Sequence, residues 1–428
     1  MLQAAAAAGP LETRLESWSD GAVLIDNDRI ADAGPFADVR GRHPGAAIEV
    51  LRGGLLLPGL IDVHVHYPQT GVIGALGLEL LDWLERVTLP AEARFAEPKY
   101  ARRQARLFLR GLIRNGTTRA LVFGSHFAAA QNALFEEAAA LGYPLVSGLA
   151  TGDRNLRPEL QTTPGRAYRE NRELIERFHG KNGLRYALTP RFSLAASDAL
   201  LEVNGALLKE FPDLFVQTHL NENHREIETV ARLFPNARDY LDTYERHGLL
   251  GPRSVFAHDV HPRPRELARL AETGSWVAHC PSSNAFLGSG LFPMRDHLQA
   301  GVRFALGSDV GAGTRFSLLG EAMDAYKTQQ VRPDGVGLTP AALLYLATRA
   351  GAAALGQPSL AGGLETGMSA DLVWIKPLPG STLEAVLSQA ESDEHALGAL
   401  FALARETEVA AVWLGGRLVY RRGMLQTE

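Results

Sequence analysis

Cysteine is almost absent from this sequence, since Cys280 is the only one among 428 residues. A single thiol allows no internal disulfide and no zinc site built from cysteines, so the class of zinc enzymes that binds its metal through a Pro-Cys-x-x-Cys pair is excluded. Any metal in this protein must therefore be bound by histidines and carboxylates.

Three further features are missing. Lys and Arg (43) do not outnumber Asp and Glu (48), and the net charge of -5 excludes the basic surface that binding to a nucleic-acid backbone requires. No apolar run approaches the roughly 20 residues that span a bilayer. The start, Met1-Leu2-Gln3 followed by five alanines, carries no Lys or Arg before its apolar part and does not fit a signal peptide. We expect a cytoplasmic enzyme with neither nucleic-acid nor membrane partners.

The middle of the chain alternates between short β-branched apolar runs and segments with helical spacing. Helical periodicity is clearest in Tyr100–Asn115, Ala128–Leu141, Ala199–Phe211 and Pro264–Thr273. Such alternation over about 250 residues predicts an α/β fold with a (β/α)8 TIM-like barrel. A doubly wound sheet would alternate in the same way, but no glycine-rich phosphate-binding fingerprint follows an early strand. The eight predicted strands are Leu60–His66, Arg119–Phe123, Pro144–Leu149, Arg185–Leu188, Leu214–His219, Ser254–His258, Trp276–Cys280 and Val302–Gly307.

Both chain ends have a different pattern, rich in short β elements. We predict that they combine into one small β-sandwich domain formed by 1–57 and 371–428, with the catalytic barrel occupying 58–370. A long helix, Thr339–Leu355, is predicted after the last barrel strand, with Thr339-Pro340 as its cap and first turn. The strands predicted for the small domain are Gly21–Asp26, Arg29–Ala31, Ile48–Leu51, Asp371–Ile375 and Glu408–Val419, the last with a turn at Gly415-Gly416.

The first predicted barrel strand delivers two histidines, His64 and His66, with one residue between them. Side chains i and i+2 of a strand point to the same face, so the two imidazoles form half of a metal site. With 13 histidines in the chain, chance alone produces such a pair about 0.4 times, so the pair by itself is a weak signal.

The carboxyl ends of the other predicted strands supply the matching half, at the face where barrel enzymes carry their chemistry. Each of these residues has a structural alternative: a histidine in an apolar strand is often a satisfied core residue, and an aspartate before Val-Gly can cap a turn. Together they favour a metal site. The residues are His219 after strand five, His258 after strand six and Asp309 after strand eight.

Three neighbouring features refine this hypothesis. Glu222, three residues after His219, is either a helix-start carboxylate or a proton carrier. Strand four ends in Thr189-Pro190-Arg191-Phe192, without the lysine or acidic residue that would bridge two metals, which favours a single ion. Gln69 is either a plain loop amide or a group that recognises a substrate amide edge.

At this point the sequence resembles the amidohydrolase superfamily and, within it, the guanine deaminases. The resemblance runs through most of the chain. Asp259 and Ala312 depart from the expected pattern, but neither occupies a predicted ligand position. The segments that carry the resemblance are Pro58–Gln69, Leu81–Phe95, Pro190–Phe192, Gln217–Asn223, His279–Asn284, Phe286–Gly290 and Gly307–Gly311.

The resemblance implies one zinc ion per chain, bound by His64, His66, His219 and Asp309, with His258 close by. It also implies a homodimer that deaminates guanine hydrolytically to xanthine and ammonia. Water is expected to attack C2 of the purine. The resemblance implies that Asp309 accepts a proton and that Glu222 shuttles protons to a ring nitrogen and to the leaving ammonia. His258 would hydrogen-bond the attacking water. Gln69 and Arg191 would recognise the purine, and Phe192 would stack on its ring.

Two alternatives remain at this stage. A related zinc aminohydrolase acting on a triazine, adenine-like or pterin ring would share the metal site and differ at Gln69, Arg191 and Phe192; a non-catalytic barrel scaffold would have lost ligands that are all present here. We interpret His279 as structural or as a support behind the metal, and Cys280 as a buried apolar residue; the role of His126 is left open. The histidines predicted to lie on the surface are His43, His179, His224, His247, His261, His297 and His395.

Overall fold

The computed structural model describes residues 1–5 and 11–423, so parts of the alanine run and of the segment 371–428 lie outside the described residues. Its centre is a barrel of eight parallel strands, with the short strand Ala150–Thr151 added beside the fourth. This confirms the predicted (β/α)8 architecture. The barrel strands are Leu60–His66, Thr117–Phe123, Leu145–Gly148, Leu184–Pro190, Phe215–Leu220, Ser254–His258, Trp276–His279 and Arg303–Leu306.

The barrel closes just beyond the end of its eighth strand. The amide of Asp309 donates to the carbonyl of His64 (2.8 Å), and the amide of His66 donates to the carbonyl of Val310 (2.9 Å). We call these two hydrogen bonds the seam. Because the seam joins the first strand to the residues after the last one, it places the histidine pair directly beside Asp309.

Helices cover the outside of the barrel, and the four helical segments predicted from periodicity are present. The helix Pro98–Arg114 shows why: its apolar residues recur at helical spacing and all but a few, such as Leu107, are buried, while its arginines face outward. Tyr67–Val72, Arg94–Ala96, Pro158–Leu160 and Glu406–Glu408 are short 3-10 turns, and Leu84–Thr88 is a π turn. The α-helices are Phe36–Arg42, Leu80–Trp83, Leu89–Ala93, Pro98–Arg114, Ala128–Leu141, Pro164–Phe178, Asp198–Glu210, His224–Leu233, Asp242–Glu245, Pro264–Thr273, Pro281–Phe286, Met294–Ala300, Leu318–Val331, Pro340–Ala347, Arg349–Ala354, Thr382–Leu387 and Asp393–Leu403.

A small antiparallel sheet joins both chain ends, as predicted. A separate hairpin, Gly21–Asp26 with Arg29–Pro35, packs on it through Ile30, Trp374 and Trp413, which form their own apolar cluster. A second hairpin pairs Leu2–Ala4 with Leu15–Ser17. The strands of the sheet, in spatial order, are Arg417–Arg421, Val409–Leu414, Leu372–Ile375 and Leu55–Pro58.

The predicted strand Ile48–Leu51 was wrong. Ile48 and Val50 alternate in the sequence, but their side chains remain 51% and 62% exposed because no element covers them. The strand begins instead at Leu55, after the left-handed glycines 53 and 54 (φ 72° and 87°), and pairs with Leu372–Ile375. Burial between partner strands, rather than alternation, decides which segment joins the sheet.

The predicted helix Thr339–Leu355 is interrupted at Thr348, which adopts φ -133° and ψ -82°. The hydroxyl of Thr348 donates to the carbonyl of Leu344 (2.6 Å), which ends the first helix. The second helix runs on with Gly351 against the barrel, where a Cβ on that glycine would lie 2.8 Å from the Cβ of Ile61. Close packing on the first strand therefore redirects the chain.

Within residues 1–5 and 11–423, no helix combines the length and the apolar character needed to cross a membrane. The domain boundaries at 57/58 and 370/371 stay a prediction.

Candidate metal centre and active site

Four predicted ligands meet at the carboxyl end of the barrel. The Nε2 atom of His66 lies 3.0 Å from Oδ1 of Asp309, 3.1 Å from Nε2 of His64 and 3.3 Å from Nε2 of His219. His64 Nε2 lies 3.2 Å from the same Asp309 oxygen. Around a tetrahedral zinc ion with bonds of about 2.0–2.1 Å, ligand atoms are separated by about 3.3–3.4 Å. The spacing of these four donors therefore fits one small ion.

A second candidate set overlaps the first. His64, His219, His258 and Asp309 each offer one ligand atom, all within 4.8 Å of one another. However, the Nε2 atom of His258 lies 3.8 Å from Oδ2 of Asp309 and closer to Glu222, whose Oε2 is 3.4 Å away. The set containing His66 is the tighter one, and His258 lies at its open side.

The protonation states suit metal binding, which needs neutral imidazoles and an ionised carboxylate. Burial lowers the pKa of His66 to about 4 and holds the pKa of His219 well below its ordinary value. Burial alone would raise the pKa of Asp309, but hydrogen bonds from His64 and His66 outweigh it and keep this pKa well below the usual range.

Neighbouring groups orient two of the rings. Nδ1 of His219 lies 2.6 Å from the carbonyl oxygen of Arg191, which can only accept, so Nδ1 carries the proton and Nε2 keeps its lone pair for a metal. In the same way Nδ1 of His258 faces the amide oxygen of Asn284 at 2.9 Å and donates to it. Nε2 of His219 therefore faces the site unprotonated, and the contact with Asn284 turns Nε2 of His258 towards the site.

The backbone is strained where the strands end. Four non-glycine residues there adopt left-handed φ values: Asn221 (48°), His258 (75°), Asp259 (44°) and Asp309 (48°). Such conformations are uncommon for residues with a Cβ and concentrate at functional sites. At Asp309 and His258 they turn the side chain across the barrel mouth.

Glu222 lies beside the metal donors, immediately before the helix His224–Leu233. It is 3% exposed, and its Oε1 accepts a hydrogen bond from the hydroxyl of Ser289 (3.2 Å). Burial, reinforced by the negative charge of Asp309, raises the pKa of Glu222 well above its ordinary value, although Ser289 opposes the shift. A carboxyl with a raised pKa is suited to general-acid work.

A cavity opens next to these groups. Most of its wall is apolar, as in pockets for small organic ligands. The indole N–H of Trp83 belongs to this wall and has no hydrogen-bond partner within the described residues. The cavity is lined by His66, Gln69, Leu80, Trp83, Leu84, Arg191, Phe192, His219, Glu222, His258, Leu287, Asp309 and Ala312.

The structure thus brings every predicted site residue except His64 to the wall of one cavity, and Nε2 of His64 lies 3.1 Å from Nε2 of His66 in that wall. It also adds groups that the sequence did not point out. Glu92 contacts both Gln69 and Arg191, and Ser289 contacts Glu222. Both lie in segments that carried the resemblance, Leu81–Phe95 and Phe286–Gly290, and that resemblance was the only signal pointing to them.

The structure also shows where the histidines outside the site lie, and one of them is not where it was predicted. His297 was placed on the surface, and this was wrong: it is fully buried, with Nε2 2.9 Å from Oδ2 of Asp259 and Nδ1 2.9 Å from the Pro293 carbonyl. His279 stacks on Phe292 at 4.4 Å, and burial lowers its pKa to about 3, as expected for a structural residue. His126, for which the sequence indicated no role, lies 3.4 Å from Glu92.

Comparisons with known proteins agree with this geometry. The model of the Amidohydrolase family matches residues 55–419, and that of an imidazolonepropionase-like composite domain of bacteria matches residues 21–46. A relative from Deinococcus radiodurans, described as a probable guanine deaminase, is 56% identical over 95% of this chain and 94% of its own.

Two solved structures extend the comparison. The Escherichia coli guanine deaminase superposes with a TM-score of 0.92 at 38% identity, covering 96% of this chain and 94% of its own. The Clostridium acetobutylicum enzyme, solved with guanine in its active site, has a TM-score of 0.89 at 26% identity and covers 98% of each chain. The chain therefore belongs to the amidohydrolase family and, within it, to the guanine deaminases.

Proposed function

We propose that this enzyme is a zinc-dependent guanine deaminase that hydrolyses guanine to xanthine and ammonia. One observation carries the proposal: the four metal donors, Glu222 and the adjoining cavity form a single continuous site. The names of the relatives and the guanine bound to the Clostridium acetobutylicum enzyme support the substrate.

In this proposal His64, His66, His219 and Asp309 hold the metal. Three imidazoles and one carboxylate are a donor set that suits zinc. When bound, the ion supplies the Lewis acidity that makes water a nucleophile at neutral pH.

The residues on the open side carry the protons. Asp309 accepts a proton from water as the oxygen bonds to C2 of guanine, while Glu222 protonates a ring nitrogen. Glu222 next takes the proton of the new hydroxyl and delivers it to the departing amine, which leaves as ammonia. The proton on Asp309 then returns to Glu222, so both residues regain their starting states. His258 hydrogen-bonds the attacking water through its Nε2 and orients it.

The far part of the cavity recognises the purine. Phe192 is 4% exposed and presents its ring to the cavity, where it contacts the flat face of the substrate. Arg191 and Gln69 line the same cavity and hydrogen-bond the polar edge of the purine. A buried site built for hydrogen bonds rejects analogues that lack the matching groups.

The test is an ammonia-release panel on zinc-loaded protein that covers guanine, other aminopurines, aminotriazines and aminopterins. We expect guanine to be the preferred substrate. If another heterocycle is turned over and guanine is not, the protein is a related aminohydrolase and not a guanine deaminase. Failure on every ring with the zinc in place would favour a scaffold.

Glu222→Gln should retain zinc and lose at least about 100-fold in kcat, since general acid–base groups contribute 10²–10⁴-fold. Glu228→Gln, an exposed position on the adjoining helix, is the matched control and should match the wild type. Undiminished turnover of Glu222→Gln would remove the proton-transfer role.

We also propose that the enzyme acts in purine catabolism, in the cytoplasm and as a homodimer, on the basis of its resemblance to guanine deaminases. Light scattering on the purified protein tests the dimer, which a monomer mass would contradict.

A further inference from the structure

Glu92, on the helix Leu89–Ala93, lies behind the part of the cavity that recognises the purine. It is 2% exposed. Its carboxylate receives Nη1 of Arg191 at 2.7 and 3.0 Å and Nε2 of Gln69 at 2.9 Å, and it lies 3.4 Å from Nε2 of His126. One buried carboxylate therefore connects both residues that recognise the purine.

The charges in this cluster cancel. A buried carboxylate is stable only when it is paired, and Arg191 is the cation that pairs with Glu92. Burial lowers the pKa of His126 and keeps this ring neutral. The Arg191–Glu92 pair therefore carries no net charge, while Arg191 still offers hydrogen-bond donors. This combination suits a neutral heterocycle rather than an anion.

Glu92 also fixes which way the amide of Gln69 points. A carboxylate only accepts, so the atom facing it is the amide nitrogen, while the amide oxygen receives the N–H of Gly311 at 3.2 Å. These two independent contacts give the same orientation. The oxygen of Gln69 keeps a second lone pair.

The hydrogen-bonding atoms of Arg191 and Gln69 that remain available to a ligand define a pattern of donors and an acceptor. Nη1 of Arg191 is occupied by Glu92, whereas Nε and Nη2 have no protein partner within the described residues. A ligand thus meets donors from Arg191 and an acceptor from Gln69. Guanine offers the complement, a carbonyl at C6 beside a protonated N1. 2,6-Diaminopurine carries the same 2-amino group but presents an amino group and an unprotonated N1, which is the reverse pattern.

We propose that Glu92 is a positioning residue that holds Arg191 and Gln69 as an adjacent donor and acceptor, and thereby sets the preference for a 6-oxo over a 6-amino 2-aminopurine. This inference rests on the proposed function and assigns its specificity to a residue that does not touch the substrate.

The experiment compares guanine with 2,6-diaminopurine on the wild type, Glu92→Gln and Glu92→Asp, all loaded with zinc. Glu92→Gln keeps the size of the side chain, removes the charge and places an amide against Arg191. We expect KM for guanine to rise about 10- to 100-fold, as for the loss of a charge-assisted hydrogen bond, with a smaller change in kcat. The kcat/KM ratio of guanine to 2,6-diaminopurine should fall at least tenfold, with zinc content unchanged.

Glu92→Asp retains the charge and should restore part of the discrimination. The matched control is Glu408→Gln, a buried carboxylate in the small β domain whose partners are Arg405 and Thr407, and it should leave the ratio unchanged. Because both purines are measured on the same preparation, the ratio does not depend on the fraction of folded enzyme.

The proposal is overturned if Glu92→Gln keeps the wild-type ratio, or if kcat falls while KM and the ratio stay constant, which would mark a structural role. Dissociation constants of the two purines provide a second measurement that needs no turnover. If the wild type binds guanine more tightly than 2,6-diaminopurine but releases no ammonia, the proposed function fails. The role of Glu92 is then still decided by whether Glu92→Gln lowers the ratio of the two dissociation constants towards one. A wild-type ratio near one overturns the inference directly.

Discussion

The sharpest prediction separates the two overlapping ligand sets by removing one ring from each. His66→Ala should lose the metal, whereas His258→Ala should keep it. The Nε2 atom of His66 is within 3.3 Å of three other donors, while that of His258 is 3.8 Å from Oδ2 of Asp309. The ring of His66 is therefore better placed than that of His258 to share an ion with the other donors.

The expected loss of zinc affinity in each variant follows from this geometry. Removing a group that merely supports a metal ligand costs about 10- to 100-fold in affinity. Loss of a direct ligand should exceed that range, so we expect more than 100-fold for His66→Ala, or more than about 2.8 kcal/mol. For His258→Ala the metal affinity should change by less than about tenfold, while turnover falls because the attacking water loses its hydrogen-bond partner.

The assay is competition for zinc with a chromophoric chelator, combined with elemental analysis of the purified protein. Circular dichroism and thermal unfolding confirm that each variant is folded. The opposite result, with zinc lost from His258→Ala and retained by His66→Ala, would refute the tetrahedral assignment and favour the set that contains His258.

Further predictions concern the support of the site and of the fold. Gly307→Ala should weaken zinc binding about tenfold or more in the same chelator assay, because its Cβ would lie 2.8 Å from the Cβ of His64; unchanged affinity would contradict this packing argument. Burial raises the pKa of Glu321 from 4.5 to about 8, so the stability it provides is complete below pH 4.5 and is lost as the pH rises towards 8. Urea unfolding at pH 5.5 and 7.5 should show that Glu321→Gln removes a slope of about 1.4 kcal/mol per pH unit, and equal slopes would exclude Glu321 as the source. Ser197→Ala removes the hydroxyl that caps Asp198–Glu210 and should cost about 1 kcal/mol in the same assay, whereas an unchanged midpoint would show that the cap contributes nothing.

Strand ends are predictable from the sequence because buried parallel strands are short continuous apolar runs, and the barrel sends all their carboxyl ends to one face. This is why the sequence alone associates His219, His258 and Asp309 with the pair at 64 and 66. Pairing between side chains is not predictable in this way. Glu92 accepts a hydrogen bond from Arg191, which lies 99 residues later in the sequence. Periodicity indicates which face of an element is buried, but it does not indicate which residue packs against that face.

The errors have the same origin. The break at Thr348 is invisible in a run of good helix formers, because it depends on the packing of Gly351 against the barrel. His297 was predicted to lie on the surface, yet its helix turns the ring toward Phe292, 4.3 Å away, and Asp259. In each case tertiary contacts, and not local propensity, determined the outcome.

The seam has a consequence for the order of events during synthesis. Its hydrogen bonds join His64 and His66 to Asp309 and Val310, so the residues that emerge early from the ribosome wait for a segment made some 240 residues later. Until that segment arrives, the nascent chain exposes an incomplete barrel edge and an incomplete set of metal donors. The complete set of four donors therefore exists only after the barrel has closed.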